Sequence, residues 1–166
     1  MILNITVPKN RVEIANECIK DILNFLKDVK ITSQENSFFI ESENVINAYK
    51  AYNILLAIAR GFKKDDSMLL LNDEYRIEIV PIEAFAKTRN RQIILKGRVI
   101  GKEGKTKMLI EKYTKTKIVI FGKTIGIIGK WDCVKVAREA IEMFLRGSKH
   151  SSVYKNLEGK VKSLFL

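Results

Sequence analysis

The residues best placed to do chemistry lie together in Gly97-Arg-Val-Ile-Gly-Lys-Glu-Gly-Lys-Thr106, which holds three glycines in eight residues. Glycines let a backbone approach a ligand where a Cβ would collide. The first amides of a helix are unpaired and carry partial positive charge, so an anion is stabilised at such a junction. Arg98, Lys102, Lys105 and Lys107 add full charges. The chemistry this pattern supports is the capture of phosphate. Glu103, the one acid inside it, reads as facing solvent or favouring the helix N-terminus. Little else is equipped for reaction. His150, the single histidine, has no carboxylate pair or cysteine at useful spacing and reads as a packed or hydrogen-bonded residue beside a helix cap. Cys18 and Cys133 form no Cys-x-x-Cys pair and read as small apolar residues, so neither metal nor cofactor is expected.

A nucleotide-binding loop, Gly-x-x-x-x-Gly-Lys-[Ser/Thr], is the competing pattern. Gly104-Lys105-Thr106 meets its end, but its first glycine would stand where the chain has Val99. The apolar run Lys117–Phe121 leads into Gly122, not into an aspartate that could hold magnesium. Nucleotide hydrolysis therefore has little to stand on. Gly126-Ile-Ile-Gly129 shares the glycine spacing but is apolar and follows a hairpin turn, so it reads as strand.

The elements that must position the loop are legible in composition and periodicity. At 166 residues and 46% hydrophobic, the chain can bury a real core in one large domain or two small ones. No apolar run reaches the length of a membrane span and the N-terminus lacks a signal-peptide pattern, which points to a cytoplasmic protein with no membrane partner. The net charge of +11 is uneven. Residues 1–86 hold ten Lys/Arg against thirteen Asp/Glu, a net −3, whereas residues 87–166 hold twenty against six, a net +14. A polyanion-binding face is expected in the second half only.

Two rulers divide the chain. Pro8 and Pro81 each follow a short alternating apolar run that reads as a strand. Arg60-Gly61 and Arg146-Gly147 each close an amphipathic helix, with glycine in the left-handed cap position. Between the rulers one order of elements recurs. In the first unit a strand at 2–7 is followed by helical sequence at 11–28, strands at 30–33 and 38–41, and a helix at 44–60. Cys18, Ile22, Phe25 and Leu26 are expected on the buried face of the first helix, and Val45, Ala48, Tyr49 and Leu55 on that of the last. The second unit has a strand at 75–80, helices at 87–96 and 105–113, strands at 117–121 and 124–129, and a helix at 131–145 that buries Trp131. Both units read β-α-α-β-β-α. The expected class is α+β, two tandem domains at 1–70 and 71–166, each a three-stranded sheet packed on helices. All nine glycines lie at or after Gly61, so the first unit has no glycine turn.

An apolar pair followed by Gly-x-x-Gly between two helices of such a unit resembles the KH domain of type I, and Val99-Ile-Gly-Lys-Glu-Gly104 with Ile110 in the second helix matches it. In KH domains that loop clamps the backbone of about four single-stranded nucleotides. The resemblance implies an RNA site made of Arg98, Val99, Ile100, Gly101, Lys102, Glu103, Gly104, Lys105, Lys107, Ile110 and Ile118. Val99, Ile100, Ile110 and Ile118 would form an apolar groove for the bases. Arg89, Arg91, Lys115 and Lys117 are candidates to extend the basic patch, and Tyr154 reads as core.

Tandem units with a degenerate first copy further resemble the small-subunit ribosome-assembly KH proteins of archaea and eukaryotes. Ala59-Arg-Gly-Phe62, Gly97–Thr106, Gly122–Gly129 and Arg146–Tyr154 carry that match. It implies a non-enzymatic protein that binds the 3′ end of precursor 16S rRNA and presents it to a PIN-domain maturation endonuclease. The alpha subunit of translation initiation factor two is a further partner implied by the family. A general KH protein of RNA decay or transcription control, and then a nucleotide-dependent enzyme, are the alternatives. The first unit departs from the family because Val12–Cys18 has no glycine, which favours packing or protein contact there.

Overall fold

Alternation in the first residues puts Ile5 inside and leaves Asn4 and Thr6 outside, and Ile2–Thr6 forms β1. The structure, a computed structural model, describes residues 1–165 and divides into two units, Met1–Asp73 and Glu74–Leu166.

In the first unit, β1 is followed by a 3-10 turn (Lys9–Arg11), α1 (Val12–Phe25), β2 (Lys30–Gln34), β3 (Ser37–Glu41), α2 (Val45–Ala59) and the short α3 (Lys64–Met68). Its strands form an antiparallel sheet in the order β1-β3-β2. Asn44 caps α2 by accepting from the amide of Asn47 (3.2 Å). Ile22, Phe38, Ile40, Ile54, Leu55 and Ile58 are buried. The expected two helices after the first strand are corrected here to one turn and one helix. No glycine interrupts residues 1–60, so nothing breaks α1. Phe25 is 69% exposed, and Val45 and Tyr49 are also exposed, contrary to the expected stripes. Ala48 and Leu55 are buried as expected, and Ala51, Ile54 and Ile58 complete the buried side of α2.

The second unit runs β4 (Tyr75–Pro81), α4 (Arg89–Ile100), α5 (Lys105–Thr114), β5 (Lys117–Phe121), β6 (Thr124–Lys130), α6 (Trp131–Leu145) and α7 (His150–Phe165). Its antiparallel sheet has the order β4-β6-β5, which leaves β5 at an edge. Leu95, Val99, Ile110, Ile118, Ile127 and Phe144 belong to one core cluster. Trp131 is not buried; it is 58% exposed, with the Arg76 guanidinium 4.4 Å from its ring centre. α7 adds one helix beyond the expected β-α-α-β-β-α order and seats Val153 and Leu157 in the core.

The hairpin ends and the caps of the closing helices correspond between the two units. Thr6 pairs with Ser37 as Pro81 pairs with Thr124, and the amide of Val7 donates to Asn36 as that of Ile82 donates to Lys123, both at 2.8 Å. The prolines are therefore two residues out of register with each other. The Arg-Gly pairs are in register. The amides of Gly61 and Phe62 donate to Ile58 and Ala57, and those of Gly147 and Ser148 donate to Phe144 and Met143. Both sets are Schellman caps, with the glycines at φ 93° and 99°. No helix among the described residues is long and apolar enough to cross a membrane.

Candidate nucleic-acid interface

Thr88 caps α4 by accepting from the amide of Arg91 (3.2 Å), and Gln92, Leu95 and Val99 face the core. That leaves Arg89, Ile93, Gly97 and Ile100 on the outward face, leading to the loop. Gly101 has φ 74° and ψ 174°, Glu103 φ 57° and ψ 26°, and Gly104 φ 75° and ψ 9°. Three of four loop residues thus occupy the left-handed half of conformational space. Gly101 is required twice over, because a Cβ there would also lie 2.0 Å from Thr106 Oγ1. No side chain caps α5, whose first amides open beside the exposed side chains of Lys102 and Lys105. Lys105 Nζ lies 3.8 Å from Glu103, with both side chains largely in solvent. That pair contributes little.

The other two expected phosphate contacts are otherwise engaged. Arg98 donates from Nη1 to the Phe144 carbonyl (2.7 Å) and from Nη2 to that of Ser148, so its fork closes a helix end and does not face the loop's open side. Lys107 pairs with Glu111 (2.9 Å) and donates to the Ile118 carbonyl (3.2 Å), while Glu111 accepts from the Ile118 amide (3.0 Å). This pair covers the outward backbone groups of Ile118 on edge strand β5.

The apolar groove also needs correcting. Val99, Ile110 and Ile118 are buried in the core and offer no surface to a base. Only Ile100 of that group reaches the surface, joined on α4 by Ile93, which is 55% exposed. Ile93 also lines a cleft of about 610 Å³ between the first half of α4 and the β5–β6 turn, together with Lys87, Arg89, Gln92, Lys96 and Lys123. Among the described residues none of these four cations is in an ion pair. Lys87, Lys96, Lys123 and Ile93 are not among the residues the sequence singles out; the spacing Arg89, Ile93, Lys96, Ile100 is the helical signal that marks Ile93 and Lys96, whereas nothing local marks Lys87 or Lys123. Arg91 is exposed but lines neither cleft nor loop. Lys115 and Lys117 line a separate shallow cleft with Met108 and Lys112. His150 packs 4.7 Å from Phe144, and among the described residues no three His, Cys, Asp or Glu side chains converge. Burial pushes the Cys18 thiol up to about 11 and that of Cys133 upward.

A strand, two helices joined by Gly-x-x-Gly, a hairpin and a closing helix define the second unit as a KH domain of type I. Residues 76–162 match the family model of the second PNO1 KH domain, described as a eukaryotic-type KH domain, type I. A KH domain-containing protein of Methanocaldococcus jannaschii is 42% identical over 118 residues, 71% of this chain and 52% of its own length. The pre-rRNA-processing protein PNO1 of Chaetomium thermophilum is 29% identical over 147 residues, 87% of this chain and 56% of that protein. A structure from Pyrococcus horikoshii OT3, described as a complex of a/eIF2alpha, aDim2p and rRNA, superposes with a TM-score of 0.87 at 32% identity, covering 98% of this chain and 95% of that one. The chain belongs to the PNO1/Dim2 family of KH-domain proteins. It spans about half the length of the curated relatives it matches.

Proposed function

We propose that this protein is a non-enzymatic, single-stranded RNA-binding factor of small-subunit ribosome assembly, acting in the cytoplasm. Its second unit (71–166) holds the 3′ region of precursor 16S rRNA and presents it to a PIN-domain maturation endonuclease. The alpha subunit of translation initiation factor two is a second protein partner. The relatives named for pre-rRNA processing and the Dim2p–rRNA complex support this reading. The observation that carries it is the Gly101–Gly104 loop, with three positive φ angles, an uncapped α5 and the exposed cations Lys102 and Lys105. Phosphates sit on the loop, and the chain continues along α4 past Ile100 and Ile93 toward Arg89, Lys96 and Lys123.

The first unit (1–70) is a degenerate KH domain in which the turn Lys9–Arg11 stands where α4 and its loop stand in the second. The matching strand registers and caps support this, and its missing loop gives it no phosphate clamp.

Replacing Lys102 and Glu103 together by Asp tests the loop. Asp tolerates the left-handed conformation of position 103 better than most residues, so the fold is retained. Affinity for a single-stranded oligonucleotide of the 16S rRNA 3′ end is expected to fall at least about a hundredfold, since a carboxylate then replaces the Lys102 ammonium beside the one already at position 103. A melting temperature within about 2 °C of the parent is the accompanying expectation. Undiminished binding in a titration overturns the assignment of the loop.

A further inference from the structure

We propose that Arg98 and Tyr154 are positioning residues of this RNA clamp, fastening the two flanks of the Gly101–Gly104 loop to one corner of the fold, the turn between α6 and α7. This inference rests on the proposed function of the loop. On the near flank, Arg98 lies in the last turn of α4, three residues before Gly101. Its guanidinium spans the carbonyls of Phe144 (2.7 Å) and Ser148, the two sides of the Schellman cap that ends α6. On the far flank, the buried Thr106 sits beneath Gly101 and receives a long hydrogen bond from the Tyr154 hydroxyl of α7 (3.4 Å). Tyr154 stands edge-on to Phe144 and His150, each at 6.1 Å between ring centres, and those two rings are 4.7 Å apart.

A loop with Glu103 in the left-handed region persists only where its surroundings hold it there. Tying both ends to one aromatic corner sets the spacing of Gly101 and Gly104 before a ligand arrives. The ordering cost of binding is then lower.

The first unit provides a matched control. Arg11 donates to the carbonyls of Ile58 (2.9 Å) and Phe62, which stand to Gly61 as Phe144 and Ser148 stand to Gly147. The same fork therefore occurs where no glycine loop follows it. Arg11 stabilises its unit, whereas Arg98 stabilises its unit and also sets the loop.

The test measures affinity of the full chain for a single-stranded RNA oligonucleotide across a salt series, in the parent and in Arg98→Met, Arg11→Met, Lys102→Ala and Tyr154→Phe. Arg98→Met is expected to bind about tenfold more weakly with an unchanged slope of log K against log salt, because no phosphate contact is lost. Lys102→Ala loses one contact, so its slope becomes shallower by about 0.7. Arg11→Met is expected to melt earlier yet bind like the parent. A slope change of about 0.7 in Arg98→Met makes it a phosphate contact and overturns the proposal. An unchanged affinity makes it a purely structural latch and overturns it equally. Should Arg98→Met not fold, Tyr154→Phe decides: a two- to threefold loss at constant slope, about the weight of one long hydrogen bond, supports the proposal, and parental affinity overturns it. Failure of the parent itself to bind RNA overturns the proposed function, whereas a binding parent with an indifferent Arg98→Met overturns this inference alone.

Discussion

Glu103 is the residue at which the loop's backbone and its electrostatics disagree. Its φ of 57° costs a non-glycine residue about 1 kcal/mol, and its carboxylate stands among the cations expected to meet phosphate. Glu103→Gly relieves both. It is expected to raise the melting temperature by a few degrees, roughly what 1 kcal/mol yields in a domain of this size. RNA affinity should rise together with it, and thermal melts and titrations on one preparation check both. Gly97 sets the opposite test. A Cβ there would meet nothing within 4 Å, so Gly97→Ala should stabilise α4 by up to about 1 kcal/mol. It also places a methyl group on the outward face along which the bound strand is proposed to run, so affinity should fall while stability rises. A parallel change in both quantities would remove Gly97 from the interface. Gly101 and Gly104 were legible in sequence because each serves a local backbone need. Arg98 was not, because its partners lie 46 and 50 residues away. Val99, Ile110 and Ile118 were recognised as apolar, but periodicity alone does not tell a core face from a ligand face.

Elements were more readable than their boundaries and faces. The strands of both sheets, α2, α5 and α6 fall where alternation and helical spacing place them. The first unit shows why a repeat can mislead: with the second unit as template, one helix and a turn were read as two helices. Both prolines follow an alternating apolar run, yet Pro81 lies inside its ladder and Pro8 beyond the end of β1. Within α7, Val153 and Leu157 were four apart and available to be read, but the run of Ser, Lys and His before them masked the helix start. Between α1 and α2, one carboxylate links local structure to pH. Asp28 accepts from Ser42 Oγ (2.9 Å) and Asn47 Nδ2 (2.8 Å), and these bonds hold its carboxyl below the usual carboxylate range. A depressed carboxyl pKa contributes stability above its unfolded value, near 4, and loses it as pH falls through the folded value. Asp28→Asn should therefore melt below the parent at pH 7, and the two curves should converge below about pH 4. A gap that is constant with pH would assign the loss to packing instead.

At the scale of the whole molecule, charge separates the units as clearly as the fold does. By the structural boundary, Met1–Asp73 carries nine Lys/Arg against ten Asp/Glu, and Glu74–Leu166 twenty-one against nine. Sequence charge leads to the expectation of a polyanion face in the second half; the structure narrows its candidate cations, since Arg98 and Lys107 are spent on carbonyls and on Glu111. Lys102 and Lys105 remain exposed at the loop, and Lys87, Arg89, Lys96 and Lys123 line the cleft beside α4. α4, at 12 residues, is about 18 Å long and joins these two groups along one outward face. A strand held along its whole length should release counterions at both ends, and each phosphate neutralised steepens the salt dependence by about 0.7 for single-stranded RNA. Lys96→Gln with Lys123→Gln is therefore expected to flatten the slope by about 1.4 while leaving the loop intact. The triple change Lys9→Gln, Lys27→Gln and Lys30→Gln removes more charge from exposed positions of the first unit, yet should leave slope and affinity unchanged. If the triple variant instead flattens the slope and the cleft variant does not, the bound strand runs over the first unit, and the loop holds only one end of a path that the second unit's charge does not define.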